Sequence, residues 1–471
     1  MLKNKLFQSL SILLPVCVLT GCMVGPNYQA PQLSMPTHFK ALSGWKVAEP
    51  KDTDERGAWW QIYQDPILND LEQQVQISNQ NVAQYVAKYQ QALALVSSSE
   101  SGLFPSLTAT PTATRAKKAS SSSDRVSNSY TASIGSTWEL DLWGKLRRQV
   151  DENKANALAS QADLANATLS AQSTLAQSYF ALRVLDQRLD LYDHTINVYE
   201  KYCQVLAEKY KEGMIAKSDL TQAQQSLYSA QASKQDLIWQ RAQYEHAIAV
   251  LIGKTPADFD VVKQVNPTLY VPQIPNTLPS ELLERRPDIA AAERRVAAAN
   301  EAIGIAIAGY FPSLSLSGSV GSSTSHFSQL FSASTAIWSL GASASQTLFD
   351  FGANKSKVVS SRAAYDATVA SYKQTVLDAM QTVEDSLVKA NSLQQQLIAQ
   401  QKALLASTES ARIYRNQYSE GLVDYANVAS TEATRLTSQQ SILQTQSTQL
   451  QNSVALIVAL GGGWHTTYES K

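Results

Sequence analysis

The chain has 471 residues, with 39 Lys and Arg against 40 Asp and Glu, a formal net charge of −1. That balance provides no positive field to attract nucleic acid. Beyond residue 22 there is no apolar run of the roughly 18 residues that a membrane-crossing helix requires, so a chain like this one can cross a membrane only with strands.

Lys3 and Lys5 precede a short apolar run from Leu10 to Leu19, the pattern of a secretory signal. The run ends in Leu19-Thr20-Gly21-Cys22, small residues followed by a cysteine. The box sits in register with the apolar run. This favours a lipoprotein signal over an ordinary signal peptide with a chance cysteine. The expectation is a signal peptide over 1–21, cleavage after Gly21, and a diacylglycerol on Cys22 that anchors the chain to lipid without spanning it. Met23 stands where an Asp would retain a lipoprotein in the inner membrane, so the outer membrane is the expected destination. Cys17 leaves with the signal and Cys22 is acylated. Cys203 is then alone, and no internal disulfide can form.

After a lipidated extension over 22–66 the chain repeats itself. Leu103-Phe104-Pro105-Ser106-Leu107 returns as Tyr310-Phe311-Pro312-Ser313-Leu314, an offset of 207, and Tyr210-Lys211-Glu212-Gly213 returns as Tyr418-Ser419-Glu420-Gly421, an offset of 208. Val250-Leu251-Ile252-Gly253 and Val458-Ala459-Leu460-Gly461 keep that offset. Two copies of one unit are therefore expected, 67–259 and 287–464, with a Pro-rich linker over 260–286 and a tail over 465–471.

In each copy a helix comes first, about 67–101 and about 288–309, opened by Asp65-Pro66 and by Pro287-Asp288 and stopped by Phe-Pro. Two strands follow, about 105–115 and 129–142, then 312–323 and 336–350. Leu314, Leu316, Gly318 and Val320 alternate with Ser313, Ser315, Ser317 and Ser319, which predicts one apolar and one polar face. Long helices come next, about 145–210 and 218–252 in the first copy and 352–419 and 425–460 in the second. Apolar residues from Leu164 to Tyr210 recur about every 3.5 residues, the spacing of a left-handed coiled coil. A helix over 145–210 is roughly 100 Å long, too long for a compact domain. Gly213 and Gly421 must turn these helices sharply, as residues free to adopt positive φ can. Four strands cannot close a barrel, and an open edge is forbidden in lipid. Several chains must share one barrel, and three are more plausible than two.

Enzymatic and metal chemistry finds no support in the pattern. Gly253-Lys254-Thr255 mimics the end of a phosphate loop, but Ile248 occupies the position of its first glycine. His38, His194, His246, His326 and His465 are scattered without metal spacing. No catalytic residue, metal site or cofactor is expected. The alternatives to an export duct are a periplasmic coiled-coil adaptor, which would lack the duplicated hairpins, and a secreted enzyme, which would need a convergent polar site.

Several segments resemble one family. They are Cys22-x-x-Gly25-Pro26-x-Tyr28, Trp59-Trp60-x-x-Tyr63-x-Asp65-Pro66, Trp138 to Gly144, Glu284 to Ile289 with Glu293 and Asn300, Ile303-Gly304-x-Ala306, and Ala459 to Trp464. The chain is similar over nearly its whole length to the TolC-like outer-membrane efflux proteins, in their NodT-type lipoprotein branch. The resemblance implies a mixed α/β membrane protein: a homotrimer with a twelve-stranded β-barrel, four strands per chain, continuous with an α-helical tunnel in the periplasm. It implies docking to a periplasmic adaptor and an inner-membrane transporter, with the turns at Gly213 and Gly421 as the docking end. In that branch a Leu five residues after the second turn glycine and an Asp nine residues after it close the tunnel mouth. Here those positions hold Ala426 and Ser430. Asp424 and Asn427 lie close by and are expected to replace the missing groups in part.

Overall fold

The computed structural model describes residues 23–31, 58–118, 125–265, 267, 269–272 and 286–462. The signal peptide, Cys22 and the tail lie outside the described residues.

Tandem aromatics in a 3-10 turn, Trp59–Tyr63, precede helix α1 (Pro66–Ser78). Asp65 caps α1, its carboxylate accepting the backbone N–H of Ile67 at 2.9 Å and of Leu68 at 3.2 Å. The single helix expected over 67–101 is in fact two, because α2 (Gln80–Ser101) starts afresh after Asn79. Asn79 is extended. Its Oδ1 accepts the N–H of Asn81 and Val82, and its Nδ2 donates to the Leu251 carbonyl at 2.7 Å. A short polar side chain that satisfies the backbone locally competes with the helix, and the bond to Leu251 fixes the break.

Strands β1 (Ser106–Lys118) and β2 (Arg125–Leu140) follow, then the helices α3 (Lys145–Lys211) and α4 (Lys217–Leu251). The second copy supplies α5 (Pro287–Ala308), β3 (Ser313–Thr324), β4 (Ala336–Ser345), α6 (Ala353–Ser419) and α7 (Tyr425–Ala459). The long helices match in length, 67 residues for α3 and α6 and 35 for α4 and α7. The duplication is thus preserved in the fold.

Two compact units are formed, each from pieces of both copies. One contains 88–161 and 291–373, and its centre is an antiparallel sheet of order β1-β2-β3-β4. The other contains 33–87, 162–290 and 374–471 and is helical where it is described. Its core joins Trp59, Trp60, Tyr63, Leu68 and Val75 to Leu175, Tyr179 and Leu182 of α3, Ile248 of α4 and Leu450 of α7. The phenols in this core keep partners: Tyr179 donates to Asp65 at 2.6 Å, and Tyr63 shares a 2.7 Å bond with Ser453. Further along α3, Leu185, Leu189, Tyr192 and Tyr199 pack on Leu227, Ala230 and Leu237 of α4 and Leu436 of α7, which realises the apolar stripe of the sequence.

The chain after α4 is bound back onto this unit by charge. Asp186, fully buried, accepts from Arg183 at 3.0 Å and from Arg241 at 2.7 Å. Arg183 donates onward to the Val262 carbonyl, and Glu245 accepts the Val261 N–H. Removing either member of a buried pair of this kind would leave an uncompensated charge in the core.

Glu72 of α1 is buried, and neither of its carboxylate oxygens has a hydrogen-bond partner. Burial pushes its acid up to about 9, from an ordinary value of 4.5. Below the ordinary value both folded and unfolded chains hold the proton, and Glu72 does not affect stability. Between that value and about 9 only the unfolded chain ionises, so stability falls as pH rises. Glu72→Gln, neutral at every pH, should raise the thermal midpoint at pH 7.5 by several degrees, a gain of at least about 1 kcal/mol, and leave it unchanged at pH 4. Thermal unfolding of both proteins across that range is the measurement; equal midpoints at pH 7.5 would show that Glu72 ionises freely in the native chain.

Candidate channel wall, anchor and gate

Successive residues of a strand face opposite ways, and the pairing register sorts them by chemistry. One face carries Thr108, Thr110 and Thr112 of β1, Thr131, Ser133 and Thr137 of β2, Ser315, Ser317 and Ser319 of β3, and Ser339 and Ser343 of β4. Hydroxyls bond across the strands there, Ser315 to Ser343 and Ser319 to Ser339, each at 2.8 Å. Ile337 is an apolar exception. The opposite face carries Leu107 and Ala109, Ile134 and Trp138, Leu314, Leu316 and Val320, and Trp338 and Leu340. Much of it is exposed: Trp338 is 77% accessible and Leu340 81%. An exposed apolar sheet face backed by a hydroxyl face suits a wall between lipid and water. Aromatics mark both ends of the apolar band. Tyr130 meets Phe327 edge to face at 5.5 Å, and at the other end Trp143 stacks on Phe311 at 4.7 Å. Among the described residues no helix is long and apolar enough to cross a membrane.

The residues just after Cys22 are seated in the sheet-containing unit. Val24 donates its N–H to the Trp143 carbonyl, and Arg148 of α3 donates through Nε to the Val24 carbonyl at 2.6 Å. The guanidinium, 1% exposed, also pairs with Glu301 of α5 at 2.5 Å. Asn300 reaches the Pro26 carbonyl at 3.1 Å, and Tyr28 donates to Glu293. Burial, and then the bond to Glu293, hold the Tyr28 hydroxyl well above its ordinary value. A Cβ at Gly304 would stand 2.2 Å from the Arg148 side chain and one at Gly25 2.6 Å from Gly304, so both glycines permit a close approach. The motif residues Glu293, Asn300 and Gly304 thus converge on one job, holding the N-terminal segment. Arg148, which the motifs did not single out, completes it.

The turn glycines sit in matching geometry. Gly213 has φ +73° and Gly421 +74°. At each, the glycine N–H bonds three residues back and the next N–H five residues back: Met214 to Lys209, and Leu422 to Gln417. This pair closes a helix with a left-handed residue. The space beyond each α-carbon is open.

Asp424 precedes α7, but its carboxylate makes no capping bond, and it is exposed. Ala426, Asn427 and Ser430 are exposed on one side of α7, while Tyr425, Val428, Ala429 and Glu432 are buried on the other. Tyr425 packs between Tyr202 and Tyr418, and burial holds its hydroxyl well above its ordinary value. Glu432 accepts from Arg415 at 2.8 Å and from Arg435 at 2.9 Å. Glu432 and Arg435 are the only charged residues between Tyr425 and Ala459. Their spacing of three could have announced the pair; Arg415, on the other helix, could not be foreseen. The four candidate gate residues therefore line an exposed face of α7, opposite a buried face on which Glu432 is shared by Arg415 and Arg435.

Among the described residues no group of His, Cys, Asp and Glu could hold a metal ion. Burial and Glu200 raise the Cys203 thiol above its ordinary value, which disfavours the reactive thiolate.

The sequence pattern described as "Outer membrane efflux protein" matches residues 71–254 and again 278–462. The chain is 27% identical over 464 residues to the antibiotic efflux pump outer membrane protein ArpC of Pseudomonas putida, covering 97% of this chain and 96% of that one. It is 27% identical over 456 residues to the cation efflux system protein CusC of Escherichia coli, covering 96% and 98%. The solved outer-membrane channel OprN superposes with a TM-score of 0.86 at 30% identity, covering 94% of this chain and all of that one.

Proposed function

The chain belongs to the outer membrane efflux protein family, and we propose that three copies of it form an export duct in the outer membrane of a Gram-negative bacterium, anchored by acyl groups on Cys22. The observation that carries this reading is the four-stranded sheet, with one hydroxyl face, one apolar face and two unpaired edges. In lipid each edge must find a partner strand. Joining β4 of one copy to β1 of the next closes the sheet, and three copies give twelve strands around a lumen lined with Ser and Thr. The long helices then line a periplasmic tunnel. The duct receives cargo from a periplasmic adaptor and an inner-membrane transporter, and acts as a conduit rather than an enzyme. ArpC is named for antibiotics and CusC for cations, so family membership leaves the cargo class open. Native mass spectrometry in detergent tests the assembly and the anchor together. The expected species is a trimer that gains three diacylglyceryl groups from Cys22; a monomer, or a trimer without that mass, would refute the corresponding part.

The turns at Gly213 and Gly421 are the docking end for the adaptor in this reading. Their positive φ and the open space around them support it: a tip of this shape can be covered by a partner without displacing side chains. Gly421→Trp strains the turn and adds bulk to that tip, so cross-linking to the adaptor should be lost while the trimer persists. Cross-linking at the wild-type level would move the docking site elsewhere.

Asp424, Ala426, Asn427 and Ser430 form the gate. Their exposure on one side of α7 supports this, and their small, mostly uncharged side chains make for a comparatively leaky closed state with weak cation preference. Ser430→Asp adds three carboxylates to the ring and should raise the cation-to-anion permeability ratio about twofold or more. Reversal potentials of single channels in a planar bilayer give that ratio. No change in ratio or conductance would exclude Ser430 from the narrow part of the path.

A further inference from the structure

The apolar face of the sheet changes character along β1. Leu107, Ala109, Pro111 and Ala113 are followed on the same face by Arg115 and Lys117. The change falls at one level of the sheet, where Ala113 pairs with Tyr130, the ring that meets Phe327. Just below that level the connection from β3 to β4 folds back over the sheet. It is a built loop: two 3-10 turns, Phe327–Gln329 and Ala333–Thr335, with Leu330 buried and Thr335 donating to the Gln329 carbonyl at 3.0 Å. Between loop and sheet lies an open crevice of about 650 Å³, walled by Ala109, Pro111, Ile134, Val320, Phe331 and Ala336. Phe331 is 88% exposed and Val320 61%.

We propose that this crevice and the two cations form a binding site for one anionic membrane lipid. An acyl chain lies in the crevice and the headgroup phosphate sits on Arg115 and Lys117. The proposal rests on the reading of the sheet as a membrane wall. Two observations select this occupant. The crevice is continuous with the lipid-facing surface, and its hydroxyls are already engaged, Ser322 with Thr335 at 2.7 Å. A polar solute would therefore find few partners there. The charge lies on the side of the crevice where a headgroup belongs. Four residues separate Pro111 from Arg115, about 13 Å along the strand, a span that one lipid covers. A cation near a membrane surface contributes on the order of a fivefold preference for an anionic headgroup. The acyl chain adds affinity with each methylene it buries.

Native mass spectrometry of the detergent-solubilised protein, with dipalmitoyl phosphatidylglycerol or dipalmitoyl phosphatidylcholine added, measures the site. The wild type should retain the anionic lipid at least about fivefold better. Arg115→Gln should reduce that preference by about fivefold. Ala132→Phe, which fills the crevice, should release both lipids, and dihexanoyl phosphatidylglycerol should bind poorly to every protein. Equal retention of the two long-chain lipids by the wild type would overturn the proposal, as would unchanged retention in both variants. Reconstitution of the same preparations into liposomes separates the two readings: a protein that inserts into the bilayer without lipid preference lacks this site only, whereas one that does not insert overturns the membrane wall itself.

Discussion

Backbone N–H and C=O groups cannot stay unpaired in hydrocarbon, and most of this architecture follows from that rule. Each chain brings four strands, with β1 and β4 at the edges. The chain cannot satisfy those edges alone, so the membrane part is a property of an assembly. The rest of the chain matches this. Large apolar side chains stay exposed along β4 and on α6, among them Trp338, Leu340, Val359 and Leu405. In a protein complete as a monomer they would be a liability. In a wall that faces lipid and other copies of itself, they are its working surfaces.

Internal duplication reduces the cost of building such an object. One unit of helix, hairpin and helical return, used twice, supplies four strands and two helical hairpins with turns of one geometry. The compact units nevertheless draw on both copies, so neither repeat is a self-sufficient domain. Connections between the copies are made with a few buried charged groups. Arg183, Asp186, Arg241 and Glu245 tie down the chain that leaves the first copy, and Arg148 and Glu301 link α3 of the first copy to α5 of the second while holding the N-terminal segment. Charges this deeply placed are strongly penalised when a partner is missing, which favours one arrangement over its near alternatives.

The helical termini show how local chemistry and tertiary demand share the work. Asp65 and Pro66 start α1 by capping and a preset φ, needs that any helix has. Asn79 instead breaks a segment whose apolar pattern would run on, because its side chain bonds both forward to α2 and across to Leu251. The first effect is written in a dipeptide. The second depends on a carbonyl 172 residues away.

Much of the fold was legible in the sequence because it rests on periodicity and repetition. Alternation separated the Ser face from the Leu face of β3, spacing near 3.5 announced the long helices, and the offset of 207 to 208 residues revealed the second copy. Gly213 and Gly421 marked the helix returns because few other residues accept a positive φ. Tertiary structure decided what depends on distant residues meeting. It seated Val24 on Arg148, left Glu72 buried without a partner, gathered Arg415 and Arg435 on Glu432, and folded Phe331 back over the sheet. Sequence carries the period of each element, since that is set by backbone geometry alone. It does not carry which faces of separate elements come together, because that depends on packing between residues hundreds of positions apart.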